Sequence, residues 1–133
     1  MKRPIYVIIL LLIISMMGAC KEKGPDAGRL AAVAAKGYYD LLLDGKYQEF
    51  VSGIHQVGKI PQGYHEQLLM NTQMFMEQQE EEHKGIVKVS ILNAKADTAH
   101  HVADVFLFLV YGDRTKEQVV VPMVEVGGKW KMR

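Results

Sequence analysis

At 133 residues, with 16 basic and 15 acidic side chains, the chain has the length of one domain and a formal charge of +1. A nucleic-acid binder carries a clear basic excess, so this balance excludes that class. Cys20 is the only cysteine, which excludes an internal disulfide framework and a thiol nucleophile downstream of it. The first element begins with Lys2 and Arg3, followed by an apolar run over residues 5–14 broken only by the amphipathic Tyr6. A membrane-spanning helix needs about 20 apolar residues. This run is shorter and leaves through Gly18 and Ala19, the pattern of a secretory signal peptide over residues 1–19.

Met17-Gly18-Ala19-Cys20 sets an apolar residue and two small ones before a cysteine. It resembles the lipobox of bacterial lipoproteins. The resemblance implies a diacylglyceryl group on the Cys20 thiol, cleavage after Ala19 and acylation of the new amine, so the membrane is the first expected partner. Stable anchoring takes two signals, each buried methylene adding about 0.8 kcal/mol. Loss of Lys2 and Arg3 leaves 14 basic against 15 acidic side chains, a net of −1, on the 114 residues from 20 to 133. That length supports a hydrophobic core without staples. Residues 20–26 are polar, contain Gly24 and Pro25, and read as a lipidated tether. Lys21 follows the cysteine where lipoproteins of the inner membrane often carry Asp. By resemblance to that sorting rule the expected address is the cell envelope, with the outer membrane favoured.

Residues 27–133 are expected to form one domain. Asp26 can cap a first helix by accepting from an early backbone N–H. Leu30, Val33, Ala34, Gly37, Tyr38, Leu41 and Leu42 then recur at steps of three and four, and Asp44-Gly45 ends the stripe. Tyr47, Phe50, Val51 and Ile54 repeat the spacing in a second, short helix. A third runs from about Gln62 to Lys84, with Tyr64, Leu68, Thr72, Phe75 and Gln79 on one side and Gly85 as its stop. Met70 and Met74 fall off that stripe and are free to pack on another helix, line a cavity or meet a partner.

After Gly85 the period becomes two. Val87, Val89 and Ile91 are expected on one face of a first strand, against Lys88 and Ser90, with a turn over residues 93–98. Residues 101–111 are apolar on both faces, Val105, Leu107 and Leu109 against Val102, Phe106, Phe108 and Val110, which predicts a central strand covered on both sides. Residues 112–116 form a hairpin loop, and a third strand holds Val119, Val120, Val121, Val124 and Val126. Gly127-Gly128 makes a tight hairpin to a last strand, with Trp130 and Met132 facing in. Helices followed by an antiparallel meander of four strands define an α+β domain, its sheet curled over the helices with room for a cavity.

Gly37-Tyr38-Tyr39 with Leu41, the Asp44-Gly45-Lys46-Tyr47 helix break and the terminal Gly128-Lys129-Trp130-Lys131-Met132 complete this order. Together they resemble the nuclear-transport-factor-2-like or cystatin-like α+β cone, and within it lipoproteins with lumazine-binding-like domains of unknown function. The resemblance implies a cone mouth that can hold a small ligand, with Asp104, Phe106, Phe108, Tyr38 and Trp130 as candidate cavity contacts. Some members of that superfamily are isomerases or dehydratases with Asp, His or Tyr inside the cone. Asp104, set among apolar strand residues, is the one carboxylate here that burial could turn into a general base. The plainer alternative is that it faces solvent or pairs with a basic neighbour.

No other motif carries chemistry. His100 and His101 are adjacent and point to opposite strand faces, and His65-Glu66 lacks a second histidine at helical spacing, so no metal site is expected. Glu80-Glu81-Glu82 reads as a solvated face, no glycine loop opens a helix, and neither Ser52 nor Ser90 sits in a nucleophile elbow. No cofactor is expected. The leading expectation is a non-catalytic, membrane-anchored domain binding a small apolar ligand or a protein partner through the cone. The alternatives are an isomerase-like or dehydratase-like enzyme and an accessory subunit of an envelope complex, the latter marked by an exposed apolar patch.

Overall fold

The structure, a computed structural model, describes residues 26–133. The signal segment, the lipobox cysteine and residues 21–25 of the tether lie outside the described residues. Among the described residues, no helix is long and apolar enough to cross a membrane. Helix α1 spans Ala27–Leu43, α2 Tyr47–Ser52 and α3 Tyr64–His83. The strands are β1 Ile86–Asp97, β2 Val102–Tyr111, β3 Lys116–Val126 and β4 Lys129–Met132. They form one antiparallel sheet in the order β1-β2-β3-β4, the expected meander.

Asp26 caps α1 as expected, its Oδ1 accepting from the Gly28 N–H at 3.2 Å. The face that α1 buries is rotated from the predicted stripe. Gly28, Ala31, Ala32, Ala35 and Leu42 are buried, while Leu30 and Val33 are exposed. Close approach decides this: a Cβ on Gly28 would sit 3.6 Å from the Ala94 carbonyl oxygen of β1, a gap that suits alanines better than leucines. Two left-handed residues, Lys84 and Gly85, end α3 and turn the chain into β1. Helix α3 itself buries little, with only Thr72 and Gln79 fully covered.

Two expectations for β1 fail. The strand continues through Asp97 where a turn over 93–98 was predicted, because the long β2 offers a ladder as far as Asp97↔Val102. A bulge between Ile86 and Lys88 leaves Val87 without a partner and 58% exposed, so Ile86, Val89 and Ile91 share the helix side. Opposed residues in an antiparallel pair lie on one face. Val89, Leu109, Leu107, Val105, Val121 and Met123 therefore make the inner layer, each at most 4% exposed. Burying each such side chain contributes roughly 1.5–3 kcal/mol.

The outer face corrects the reading of β2 as covered on both sides. The helices lie against the inner face, whereas Val102, Phe106, Phe108 and Val110 are half-buried on the outer one and Val120 beside them is 51% exposed. Two-faced apolarity does not require two layers of cover. Here the outer apolar groups are shielded instead by each other and by lysine stems, Lys95 Nζ lying 5.9 Å from the Phe106 ring centre and Lys116 Nζ 5.1 Å from that of Phe108.

Candidate functional site

The sheet separates the five candidate cavity residues into two groups. Tyr38 and Trp130 meet on the inner side, where the Tyr38 hydroxyl donates to the Trp130 carbonyl at 2.8 Å. This contact closes one end of the cone. Gly53, just after α2, faces the Tyr38 ring so closely that a Cβ would overlap it. The Met132 N–H donates to the Gly53 carbonyl at 2.9 Å, and the His55 N–H to the Met132 carbonyl at 2.6 Å. Trp130, Met132 and Met123 are 8%, 5% and 0% exposed, so protein side chains occupy this end.

Asp104, Phe106 and Phe108 lie on the other face. Asp104 is exposed, opposite Lys95 and Pro122 in the ladder. A general base inside the cone is not its role, because strand alternation turns it outward with Phe106 and Phe108. The expected common cavity of Tyr38, Trp130, Asp104, Phe106 and Phe108 does not form.

A cleft opens elsewhere, between the three helices. Tyr39 and Leu42 of α1, Phe50 of α2, and Leu68, Asn71, Thr72 and Phe75 of α3 line a space of about 250 Å³. The Tyr39 and Phe50 rings meet edge to face, centres 5.7 Å apart at 89°. The Thr72 hydroxyl is spent on the Leu68 carbonyl at 2.8 Å, and Asn71 Oδ1 accepts from Gln67 Nε2 at 2.9 Å. Burial raises the Tyr39 hydroxyl pKa, which keeps it a proton donor across the physiological range. A mainly apolar cleft with a tyrosine hydroxyl and a carboxamide suits a small apolar body with one polar group. Beyond it Met74 is 62% exposed.

Sequence reasoning placed Phe50 and Phe75 on packing stripes and Tyr39 in a motif, without joining them. The available signal was the poor amphipathicity of the third helix, where aromatic and methionine residues alternate with amides and acids.

A second polar cluster ties α3 to the β2–β3 hairpin. His83 Nδ1 is 3.0 Å from Asp113 Oδ2, and its ring stacks on Tyr111 with centres 4.3 Å apart. The Tyr111 hydroxyl donates to Glu117 at 2.6 Å, and Asp113 also accepts from the Thr115 N–H at 2.9 Å and the Thr115 hydroxyl. These bonds, from Thr115 first and then His83, hold the Asp113 carboxyl down to about 2. Burial, then Glu117, pushes the Tyr111 phenol up. The Asp113 N–H donates to the His83 carbonyl at 3.0 Å, and the Gly112 N–H to the Gly85 carbonyl at 2.9 Å. A Cβ on Gly112 would press on the Lys84 carbonyl oxygen, so the backbone approach needs glycine. The bonds run from α3 to the hairpin, which is the form of a clasp. No set of three or more metal-ligating side chains converges among the described residues.

No family model matches the chain, and no curated protein matches it either. Among solved structures it is similar to a Campylobacter jejuni protein described, provisionally, as an NTF2-like transpeptidase. The two share 12% identity at a TM-score of 0.61, covering 74% of this chain and 92% of that one. At this identity the likeness speaks for architecture alone. With three helices packed on one side of a curved four-stranded meander, the chain has an NTF2-like α+β fold.

Proposed function

We propose that this chain is a lipid-anchored protein of the cell envelope, acylated at Cys20 and more consistent with the outer than the inner membrane, whose domain binds a small, mainly apolar ligand between its helices. The observation that carries the binding role is the cleft of Tyr39, Phe50, Leu68 and Phe75, with Asn71 and the Tyr39 hydroxyl as its polar groups. The occupied Tyr38–Trp130 end moves the binding role away from the cone and onto this cleft. The lipobox residues Met17-Gly18-Ala19-Cys20 carry the anchor.

A binding role fits better than acyl transfer, the chemistry in the neighbour's description. Acyl transfer needs a nucleophile beside a base. Among the described residues, the hydroxyls with a hydrogen-bond acceptor spend it elsewhere, Ser52 on the Gln48 carbonyl, Thr72 on that of Leu68 and Thr115 on Asp113, and no serine or threonine hydroxyl is bonded to a histidine.

Titration with the uncharged dye N-phenyl-1-naphthylamine, which the lysines of the outer sheet face do not attract, tests the cleft. Saturable binding is expected in the wild type, lost in Phe75→Ser and kept in Phe108→Ser on the outer sheet face. The reverse pattern would refute the cleft. Mass spectrometry of the N-terminal peptide tests the anchor, and an unmodified Cys20 would refute it.

A further inference from the structure

Charge is divided between two sides of this nearly neutral chain. Helix α3 carries Glu66, Glu77, Glu80, Glu81 and Glu82 and no lysine or arginine. The outer sheet face carries Lys88, Lys95, Lys116, Lys129 and Lys131, with Asp97 and Asp104 as its acids, five positive groups against two negative. Asp97 is engaged, accepting from His100 through its Oδ2 at 2.7 Å. Within the lysine ring lie Phe106, Phe108, Val120 and Pro122, adjacent on β2 and β3.

We propose that this outer face docks on an anionic phospholipid surface, with Phe106, Phe108 and Val120 meeting the headgroup boundary and the lysines pairing with phosphates. Three observations converge on that occupant. An apolar patch ringed by lysines matches an interface that is apolar below and anionic above. Two copies of the face placed together would set five lysines against five, which disfavours self-pairing. Pairing it with the acidic α3 of another copy would be a heterologous contact, which the dependence on protein concentration below detects. The third observation is the tether. The first turn of α1 lies against Ala94, the neighbour of Lys95, and six residue steps separate Cys20 from Asp26. That length spans at most about 20 Å. This placement rests on the anchor reading of the previous section, whereas the charge and apolar pattern do not.

The test uses the full chain, purified from membranes in detergent and returned to vesicles of phosphatidylcholine alone or of equal parts phosphatidylcholine and phosphatidylglycerol. Lysine acetylation is then read residue by residue by mass spectrometry. The expected result is protection of Lys88, Lys95, Lys116, Lys129 and Lys131 on anionic vesicles, relieved by salt, with Lys46 and Lys59 labelled equally on both. Each lysine near an anionic surface strengthens binding on the order of fivefold. Lys95→Gln/Lys116→Gln/Lys129→Gln, all at exposed positions, therefore removes the protection of Lys88 and Lys131 with a loss of roughly a hundredfold in affinity.

Flotation with both vesicles and equal labelling of all lysines would overturn the face while sparing the anchor. Flotation with anionic vesicles only supports the face and overturns the anchor. Failure to float with either overturns both. Protection in detergent that grows with protein concentration assigns the face to a second copy, and equal protection on phosphatidylcholine alone removes the part played by anionic headgroups; either overturns the proposal.

Discussion

Gly53→Ala is the sharpest probe of the closed cone end. Its backbone, at φ −79°, suits any residue, so by conformational entropy alone the change would stabilise by about 0.4–1 kcal/mol. The structure predicts the opposite sign, because the new Cβ would overlap Cε1 and Cδ1 of the Tyr38 ring. That ring is held at its far end by the bond to the Trp130 carbonyl at 2.8 Å. Overpacking costs typically 1–3 kcal/mol, and displacing the hydroxyl adds about 1 kcal/mol for the lost bond. With the entropic gain subtracted, the net loss is roughly 1–3 kcal/mol, a fall of about 5–20 °C in the unfolding midpoint of a domain this size. Thermal unfolding by circular dichroism reads this directly, and a cycle with Tyr38→Ala isolates the overlap. In the Tyr38→Ala background the glycine change should cost less than about 0.5 kcal/mol. A neutral or stabilising Gly53→Ala, or an equal loss in both backgrounds, would refute the packing argument.

Leu107→Ala empties a fully buried position in the middle strand and should cost about 2–5 kcal/mol by chemical denaturation. Asp104→Asn, on the exposed face, should change stability by less than about 0.5 kcal/mol, and a larger loss would place the side chain elsewhere. Asp113 has its folded pKa depressed to about 2 from 3.8. Its contribution is present above pH 3.8 and is lost as pH falls from there through 2, so the wild type should lose stability over that window more steeply than Asp113→Asn. Parallel slopes in acid unfolding curves would count against the clasp. Tyr39→Phe should weaken dye binding in the cleft several-fold, about the worth of one hydrogen bond, without moving the melting temperature by more than a few degrees.

Helix order, the Asp26 cap, the glycine stops and the meander were legible because each is written in local chemistry. Gly127 and Gly128 take positive φ, 57° and 77°, as a two-residue hairpin requires. Trp130 and Met132 face in because period-two alternation leaves no other choice. The faces of α1 and β1 were misread where the period breaks. A bulge at Val87 puts Ile86 rather than Val87 on the face of Val89 and Ile91, a second irregularity between Ile91 and Asn93 changes the alternation again, and nothing in the flanking residues announces either one. The alanine face of α1 was passed over for the same kind of reason: leucine and valine score as core, but the distance between helix and sheet favours the smaller side chains.

The candidate sites divide in the same way. Composition and alternation by themselves establish an α+β chain with an amphipathic meander and a lipobox-like segment, since these depend on neighbours along the chain. Only the packed structure sends Tyr38 and Trp130 to one side of the sheet and Asp104, Phe106 and Phe108 to the other. It alone brings Tyr39, Phe50 and Phe75 from three helices to one cleft, because contacts between residues far apart in sequence depend on how elements dock. The separation of acidic helix from lysine-ringed sheet is of that kind too: summed along the chain the charges nearly cancel, and folding sorts them by side.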